Sequence, residues 1–174
     1  YDLARLLEEQ ELELTHILLT HAHFDHVGGL PDLKDAYPDV PIYIHPDAIE
    51  MLSIAPRQAA RFGLQVAEMP AADKMLADRD VIQVGNVELT ALYTPGHAPG
   101  HIAFYNAENS VVFSGDALFQ GSIGRTDLPG GDFNRLIQSI EEKLLTLPDE
   151  THVLSGHGPA TTIGRERVSN PFLQ

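Results

Sequence analysis

Apolar residues recur along this chain in two periods, and the change from one to the other marks its elements. Leu3, Leu6 and Leu7 fall at helical spacing, with Glu8, Glu9 and Glu11 on a charged face, which predicts a first amphipathic helix capped by Asp2. Ile17-Leu18-Leu19 reads as a buried strand. A second helix is expected to open at Gly28-Gly29-Leu30 and to run to about Tyr37, where Pro38 stops it, ahead of a strand at Ile42-Tyr43-Ile44. Strand, helix, strand predicts a parallel pair. From Pro46 to Asp78 helical patches alternate with breaks at Pro56, Gly63 and Pro70.

From Val81 the pattern shortens to β segments. Val81 to Val84 and Val87 to Tyr93 flank a Gly85-Asn86 turn, which is a hairpin signal. His101 to Tyr105 and Val111 to Ser114 form a second hairpin around the polar turn Asn106-Ala107-Glu108-Asn109. Phe133, Leu136, Ile137, Ile140 and Leu144 then keep helical spacing between an Asp132 cap and a stop at Pro148. Val153-Leu154 is a last strand ending at Ser155-Gly156-His157, and a short final helix begins near Ile163. No repeat or interdomain linker interrupts the chain, so residues 1–174 are expected to form one domain.

Composition narrows the partners. With 174 residues and 43% hydrophobic content the chain can bury a sizeable core. A net charge of −14 opposes nucleic acid and anionic membrane surfaces, so neither is an expected partner. The absence of Cys removes disulfides, thiolate metal sites and a thiol nucleophile. No apolar run approaches a membrane span, and a cytoplasmic location is expected, with room for a targeting segment upstream of Tyr1.

The chemistry concentrates in His21-Ala-His23-Phe-Asp25-His26, directly after the Ile17 strand. A strand presents alternate side chains on one face, and the turn that ends it brings Asp25 and His26 round from the other side. Imidazole and carboxylate together suit zinc, iron or manganese, and four such donors exceed what one catalytic ion with an open position needs. The motif therefore reads as a two-metal hydrolytic site. Further donors should also stand at strand ends beside Gly or Pro. Three positions do: His97 in Thr94-Pro95-Gly96-His97, Asp116 after Val112-Phe113-Ser114-Gly115, and His157 in Ser155-Gly156-His157-Gly158-Pro159.

In order and spacing His21, His23, Asp25, His26, His97, Asp116 and His157 resemble the seven ligands of the metallo-β-lactamase superfamily. The resemblance implies an α/β fold, an αββα sandwich with a dinuclear site at the sheet edges. His21, His23 and His97 would hold one ion, Asp25, His26 and His157 the other, with Asp116 bridging. Thr94 to His101 and Gly124-Arg125-Thr126-Asp127-Leu128-Pro129-Gly130-Gly131 are similar to the short, single-domain type II glyoxalases, the hydroxyacylglutathione hydrolases. This implies a small-molecule thioester substrate such as S-lactoylglutathione. Two departures stand out. The glutathione-binding helical domain of two-domain relatives has no counterpart after Pro159, and the β segments and Asp-Pro-Gly turn that normally precede the first helix are absent, so the expected domain is incomplete at its N-terminal strands.

Two divalent ions, zinc before iron or manganese, lower the pKa of a bridging water toward about 7, so hydroxide can attack the thioester carbonyl without a protein base. Asp25 and Asp116 would orient that water. His101 is expected to hydrogen-bond His97 or Asp116 from behind. Arg125 would either meet a substrate carboxylate or lock its loop against Asp127, the loop role being favoured. His16, His45 and His152 read as structural. Rival readings are a persulfide dioxygenase with one iron on two His and one Asp, a lactonase or β-lactamase, and a metal-binding domain without enzymatic activity.

Overall fold

The computed structural model of the chain describes residues 3–174. Its first strands are β1 (Ile17–Leu18), β2 (Ile42–Ile44) and β3 (Lys74–Met75), which form a parallel sheet in the order β1-β2-β3. They are followed by β4 (Val81–Val84), β5 (Val87–Tyr93), β6 (Ile102–Asn106), β7 (Val111–Gly115), β8 (Leu118–Phe119), β9 (Ser122–Ile123), β10 (His152–Ser155) and β11 (Thr161–Thr162). Six of these make a second, mixed sheet in the order β11-β10-β7-β6-β5-β4, and β8 pairs with β9. The helices are α1 (Leu3–Glu9), α2 (Phe24–Val27), α3 (Leu30–Ala36), α4 (Ile49–Arg61), α5 (Phe133–Ser139) and α6 (Ile163–Ser169).

Alternation along the strands decides the layers. On the first sheet Ile17, Ile42 and Ile44 face a core shared with Val27, Leu30, Met51 and Leu52 of the helices, while Leu18 and Tyr43 turn to the other side. On the second sheet Ala91, Ile102 and Phe104 meet Leu18 and Tyr43 between the sheets. Their neighbours Leu92 and Ala103 face Leu136, Ile140 and Leu144 on the far side. Helices, sheet, sheet, helices follow as four layers, the αββα sandwich that the motifs imply.

Strand direction places one edge at the site. Both β5 and β7 run antiparallel to β6, and β10 runs parallel to β7. The C-terminal ends of β5, β7 and β10 therefore share the edge where β6 begins. The Ile102 amide donates to the Thr20 carbonyl at 2.7 Å, which brings the residues after β1 to the same place.

Several elements differ from the sequence reading, each for a local reason. The Asp2 cap lies outside the described residues. α1 stops at Glu9, Glu11 takes a left-handed φ of 52°, and Leu3 and Leu6 stay half-exposed rather than entering the core. Between Pro46 and Asp78 a short helical turn (Pro46–Ala48) leads into α4, which runs through Pro56 instead of breaking there. Burial of Met51, Leu52, Ala55 and Ala59 along one face offsets the amide hydrogen bond that proline lacks. β8, β9 and β11 escape periodicity because two residues are too few to show alternation.

The helix after Asp132 is α only to Ser139 and then widens into a π turn over Ile140–Leu144, with the Leu145 amide bonded to the Ile140 carbonyl at 2.8 Å. Leu136, Ile140 and Leu144 follow one another in steps of four, which in an α-helix drift by about 40° each. A wider turn reverses that drift and keeps all three fully buried. Ile140→Ala is expected to lower the unfolding free energy by about 2–5 kcal/mol. Val168→Ala, at a site 76% exposed, should change it by no more than about 0.5 kcal/mol. Urea denaturation of both variants checks the pair, and equal midpoints would remove Ile140 from the core.

Candidate metal centre

The seven donors stand in the segments that follow four strands, β1, β5, β7 and β10. His21 follows β1 by way of Leu19 and Thr20, His23 caps α2, and Asp25 and His26 lie within that single helical turn. His97 lies in the turn after β5, Asp116 directly after β7, and His157 after β10. The structure brings all seven to one hollow. Ligating atoms of His21, His23 and His97 lie within 4.8 Å of one another, as do those of His21, His26 and Asp116, and those of Asp25, His26 and His157.

Asp116 sits where these groups meet. Its Oδ1 is 3.4 Å from His26 Nε2, and its Oδ2 is 3.7 Å from His97 Nε2 and 3.5 Å from His157 Nε2. Asp25 Oδ2 approaches His157 Nε2 at 3.2 Å. Nitrogens also face nitrogens: His23 Nδ1 and His97 Nε2 are 2.9 Å apart, and His26 Nε2 and His157 Nε2 are 3.2 Å apart.

Hydrogen bonds behind the donors set which nitrogen is free. His97 Nδ1 lies 2.8 Å from the Arg125 carbonyl and must donate to it, which leaves the Nε2 lone pair turned to the cluster. The Asp116 amide donates to His101 Nε2 at 3.1 Å, so His101 carries its proton on Nδ1 and gives it to Thr94 Oγ1 at 2.8 Å. His101 is thus neutral, stacked on His21 at 5.1 Å, and burial pushes its pKa down to about 3. It holds the backbone of Asp116 without reaching the hollow.

These donors fit divalent cations. His21 Nε2 and Asp116 Oδ1 are buried with no hydrogen-bond partner, a loss of about 1–3 kcal/mol for each such group. A cation between converging lone pairs removes it. Backbone crowding points the same way. A Cβ on Gly156 would come within 2.6 Å of His26 Cε1 and closer still to Asp116 Oδ1, and one on Gly115, whose φ is +51°, would meet His101 Nε2 at 2.7 Å. Only glycine lets these strand ends come so near the donors.

Charge is divided unequally between the groups. Burial first, then neighbouring imidazoles, holds His21 well below its usual pKa and His23 down to about 4. His97 is lowered too, by burial. At His26 burial also acts to lower the pKa, but Asp116 and Asp25 together raise it above 6.5. Burial would raise Asp116, yet His26, His97 and His157 keep its carboxyl below the usual range.

The hollow opens into a cavity of about 800 Å³. Phe24, Met51, Ile54, Phe62, Phe119 and Leu128 supply apolar walls, and Arg57, Arg61 and Arg125 add positive charge. The Arg125 guanidinium is already engaged with Asp127 through two bonds of 2.7 Å, while its carbonyl anchors His97. His16, His45 and His152 lie apart: His16 contacts Thr15, His45 stacks on Tyr93 at 4.3 Å, and His152 is exposed on β10. The α4 residues of the wall were missed by the sequence reading, although Ile54, Gln58 and Phe62 keep a four-residue spacing that could have shown a helical face.

Two outcomes follow from this geometry. Gly156→Ala should cost metal first from the Asp25, His26 and His157 group while circular dichroism stays native; full metal content in that variant would contradict the packing argument. A proton competes with a metal for the same lone pair, so a ligand of raised pKa loses its ion at higher pH. As pH falls, metal held through His26, whose pKa is raised, should leave first, and that held through His23 only toward pH 4. Metal analysis after dialysis across pH 8 to 4 should show two steps; one step would count against separate groups.

Comparison with known proteins gives the same picture at the level of the family. The family model described as "Metallo-beta-lactamase superfamily" matches residues 1–157. The chain is 44% identical to "Probable metallo-hydrolase YqgX" of Bacillus subtilis (strain 168), over 96% of this chain and 79% of that protein. It is also 44% identical to "Hydroxyacylglutathione hydrolase GloC" of Haemophilus influenzae, over 98% of this chain and 81% of that one. Among solved structures, TTHA1623 in a di-iron-bound form aligns with a TM-score of 0.91 at 44% identity, covering 98% of this chain and 83% of that chain. The BLEG-1 B3 metallo-beta-lactamase aligns with a TM-score of 0.91 at 43% identity, covering 98% and 82%. With its fold, its strand-end His and Asp cluster and these relatives, the chain belongs to the metallo-beta-lactamase superfamily.

Proposed function

We propose that the protein is a metal-dependent hydrolase of thioesters, with S-lactoylglutathione as the representative substrate. The observation that carries the reading is the convergence of two donor groups on Asp116 at the floor of a cavity that can hold a small molecule. His21, His23 and His97 would hold one ion, and Asp25, His26 and His157 the other. Two such ions, with zinc favoured by the imidazole and carboxylate donors, supply a water of lowered pKa and a Lewis acid for the carbonyl oxygen.

What the chain does around that chemistry follows from its own side chains. Asp25 and Asp116 accept the hydrogens of the attacking water and so aim its lone pair at the acyl carbon. His101 and the Arg125 carbonyl keep Asp116 and His97 from turning. Phe24, Phe62, Phe119 and Leu128 offer the acyl group an apolar wall, and where bound substrate displaces water there, charge interactions at the floor strengthen. A thiolate leaves readily, so no protein acid is required. The chain has no cysteine to act as a nucleophile, and Ser122 in the cavity wall bonds the Ile123 carbonyl rather than a histidine that could activate it. The name of the Haemophilus relative and the Gly124 to Gly131 segment support the thioester over other carbonyl substrates.

β-Lactam hydrolysis is the second reading, favoured by the likeness to the BLEG-1 enzyme. Thiol release from S-lactoylglutathione by the metal-loaded protein, beside nitrocefin turnover and oxygen uptake with glutathione persulfide, separates the classes. Thiol release with no oxygen uptake is expected; nitrocefin turnover alone would overturn the thioester reading. Asp116→Asn should lower kcat by at least about 100-fold and reduce metal content. Wild-type turnover with full metal content in that variant would remove Asp116 from its bridging role.

A further inference from the structure

The wall of the cavity carries charge of the wrong sign for this chain. The protein has a net charge of −14 and only 11 basic residues, yet three of them, Arg57, Arg61 and Arg125, line one cavity. The cavity's carboxylates are Asp25 and Asp116, and both belong to the metal cluster. Arg57 and Arg61 are four apart on α4 and so lie on one helical face, alongside Ile54, Gln58 and Phe62 of the same wall.

Pairing sets these two apart from the cavity's third cation, Arg125, and from most other cations of the chain. Arg79, Arg125, Arg135, Arg167, Lys34 and Lys143 each contact a partner side chain. Among the described residues Arg57 and Arg61 have neither an ion pair nor a hydrogen bond, in a chain with 25 acidic residues to choose from. Their helix is held in place from another face, where Leu52, Ala55 and Ala59 are buried, so the guanidinium groups stand on a fixed support. Two unpaired guanidinium groups beside apolar walls make a site for a carboxylate attached to an apolar stem.

We propose that Arg57 and Arg61 form an anion subsite that binds a carboxylate on the thiol portion of the substrate while the acyl carbon lies over the metal cluster. The inference rests on the thioester reading above and narrows it: the thiol carrier is a small peptide carrying carboxylates, as glutathione is, and the metal-site domain itself recognises it. Arg125, committed to Asp127 and His97, is not required for this subsite. The local positive charge also offsets the repulsion that a chain of net charge −14 exerts on an anionic substrate.

The test uses the metal-loaded protein with Arg57→Gln/Arg61→Gln and Arg57→Lys/Arg61→Lys double variants. Calorimetry with S-hexylglutathione, a thioether that cannot be hydrolysed, should show binding weakened about tenfold in the glutamine variant and largely restored in the lysine variant. With S-lactoylglutathione the loss should fall on KM rather than kcat. The preference for S-lactoylglutathione over neutral S-lactoyl-N-acetylcysteamine should drop about tenfold in kcat/KM. Added salt should weaken wild-type binding and affect the glutamine variant less. Unchanged S-hexylglutathione affinity and KM in the glutamine variant, with S-lactoylglutathione still hydrolysed, would overturn the subsite and leave the thioester reading standing. Arginine-dependent binding of S-hexylglutathione without hydrolysis of any thioester would do the reverse. An effect confined to acetyl-coenzyme A would assign the arginines to phosphate and overturn the peptide carboxylate.

Discussion

The metal centre balances on one carboxylate. Asp116 is buried among His26, His97 and His157, and a buried anion needs a compensating positive charge. Desolvation lowers the pKa of His21, His23 and His97, whereas the carboxylates raise that of His26, which is thereby disposed to carry a proton for it. Divalent ions answer the same need and use the lone pairs that otherwise face one another across 2.9 Å and 3.2 Å. The neighbouring structure serves this arrangement. His101 gives up any chance of charge in order to accept the Asp116 amide, and Gly115 and Gly156 give up side chains so that two strand ends can close around it.

The scaffold accomplishes this by direction. Three strands of the larger sheet deliver a donor each because they run the same way, and the oppositely directed β6 begins at that edge with His101 just ahead of it. The three-stranded sheet contributes the first cluster, joined to this edge by the hydrogen bond that the Ile102 amide donates to the Thr20 carbonyl. Helices then close the outer faces, at the cost of a proline within α4 and a π turn after α5, both tolerated because the buried faces of these helices remain continuous.

Chemistry and selectivity are therefore set by different parts. The floor of the cavity is built from strand-end donors, in a chain whose superfamily relatives bear names from hydrolase to β-lactamase. Its walls come from α2, α4 and the segment from Phe119 to Pro129, where apolar side chains and arginines meet. A floor of this kind can activate water for many carbonyl compounds, and the walls decide which of them stays long enough to react.

Most of the longer strands and the seven donor positions could be read from the chain itself, whereas the four layers followed only from the resemblance those donors carry. Period-two alternation depends on adjacent residues, and a donor beside Gly after an apolar run is a local pattern. His101 was legible as a neighbour of the His97 turn, although its bond to the Asp116 amide was not. Convergence was out of reach of local pattern, because it depends on strand direction and on registers such as Leu154 opposite Phe113. The role of α4 was hidden for the same reason: Pro56 masked the helix, and nothing near Arg57 and Arg61 in the chain tells that they face His23 and His157. Residue type and spacing thus determined what chemistry the chain could support, whereas packing of distant segments decided which groups meet in one cavity, since only in three dimensions do charges held apart by the chain come within a few ångströms.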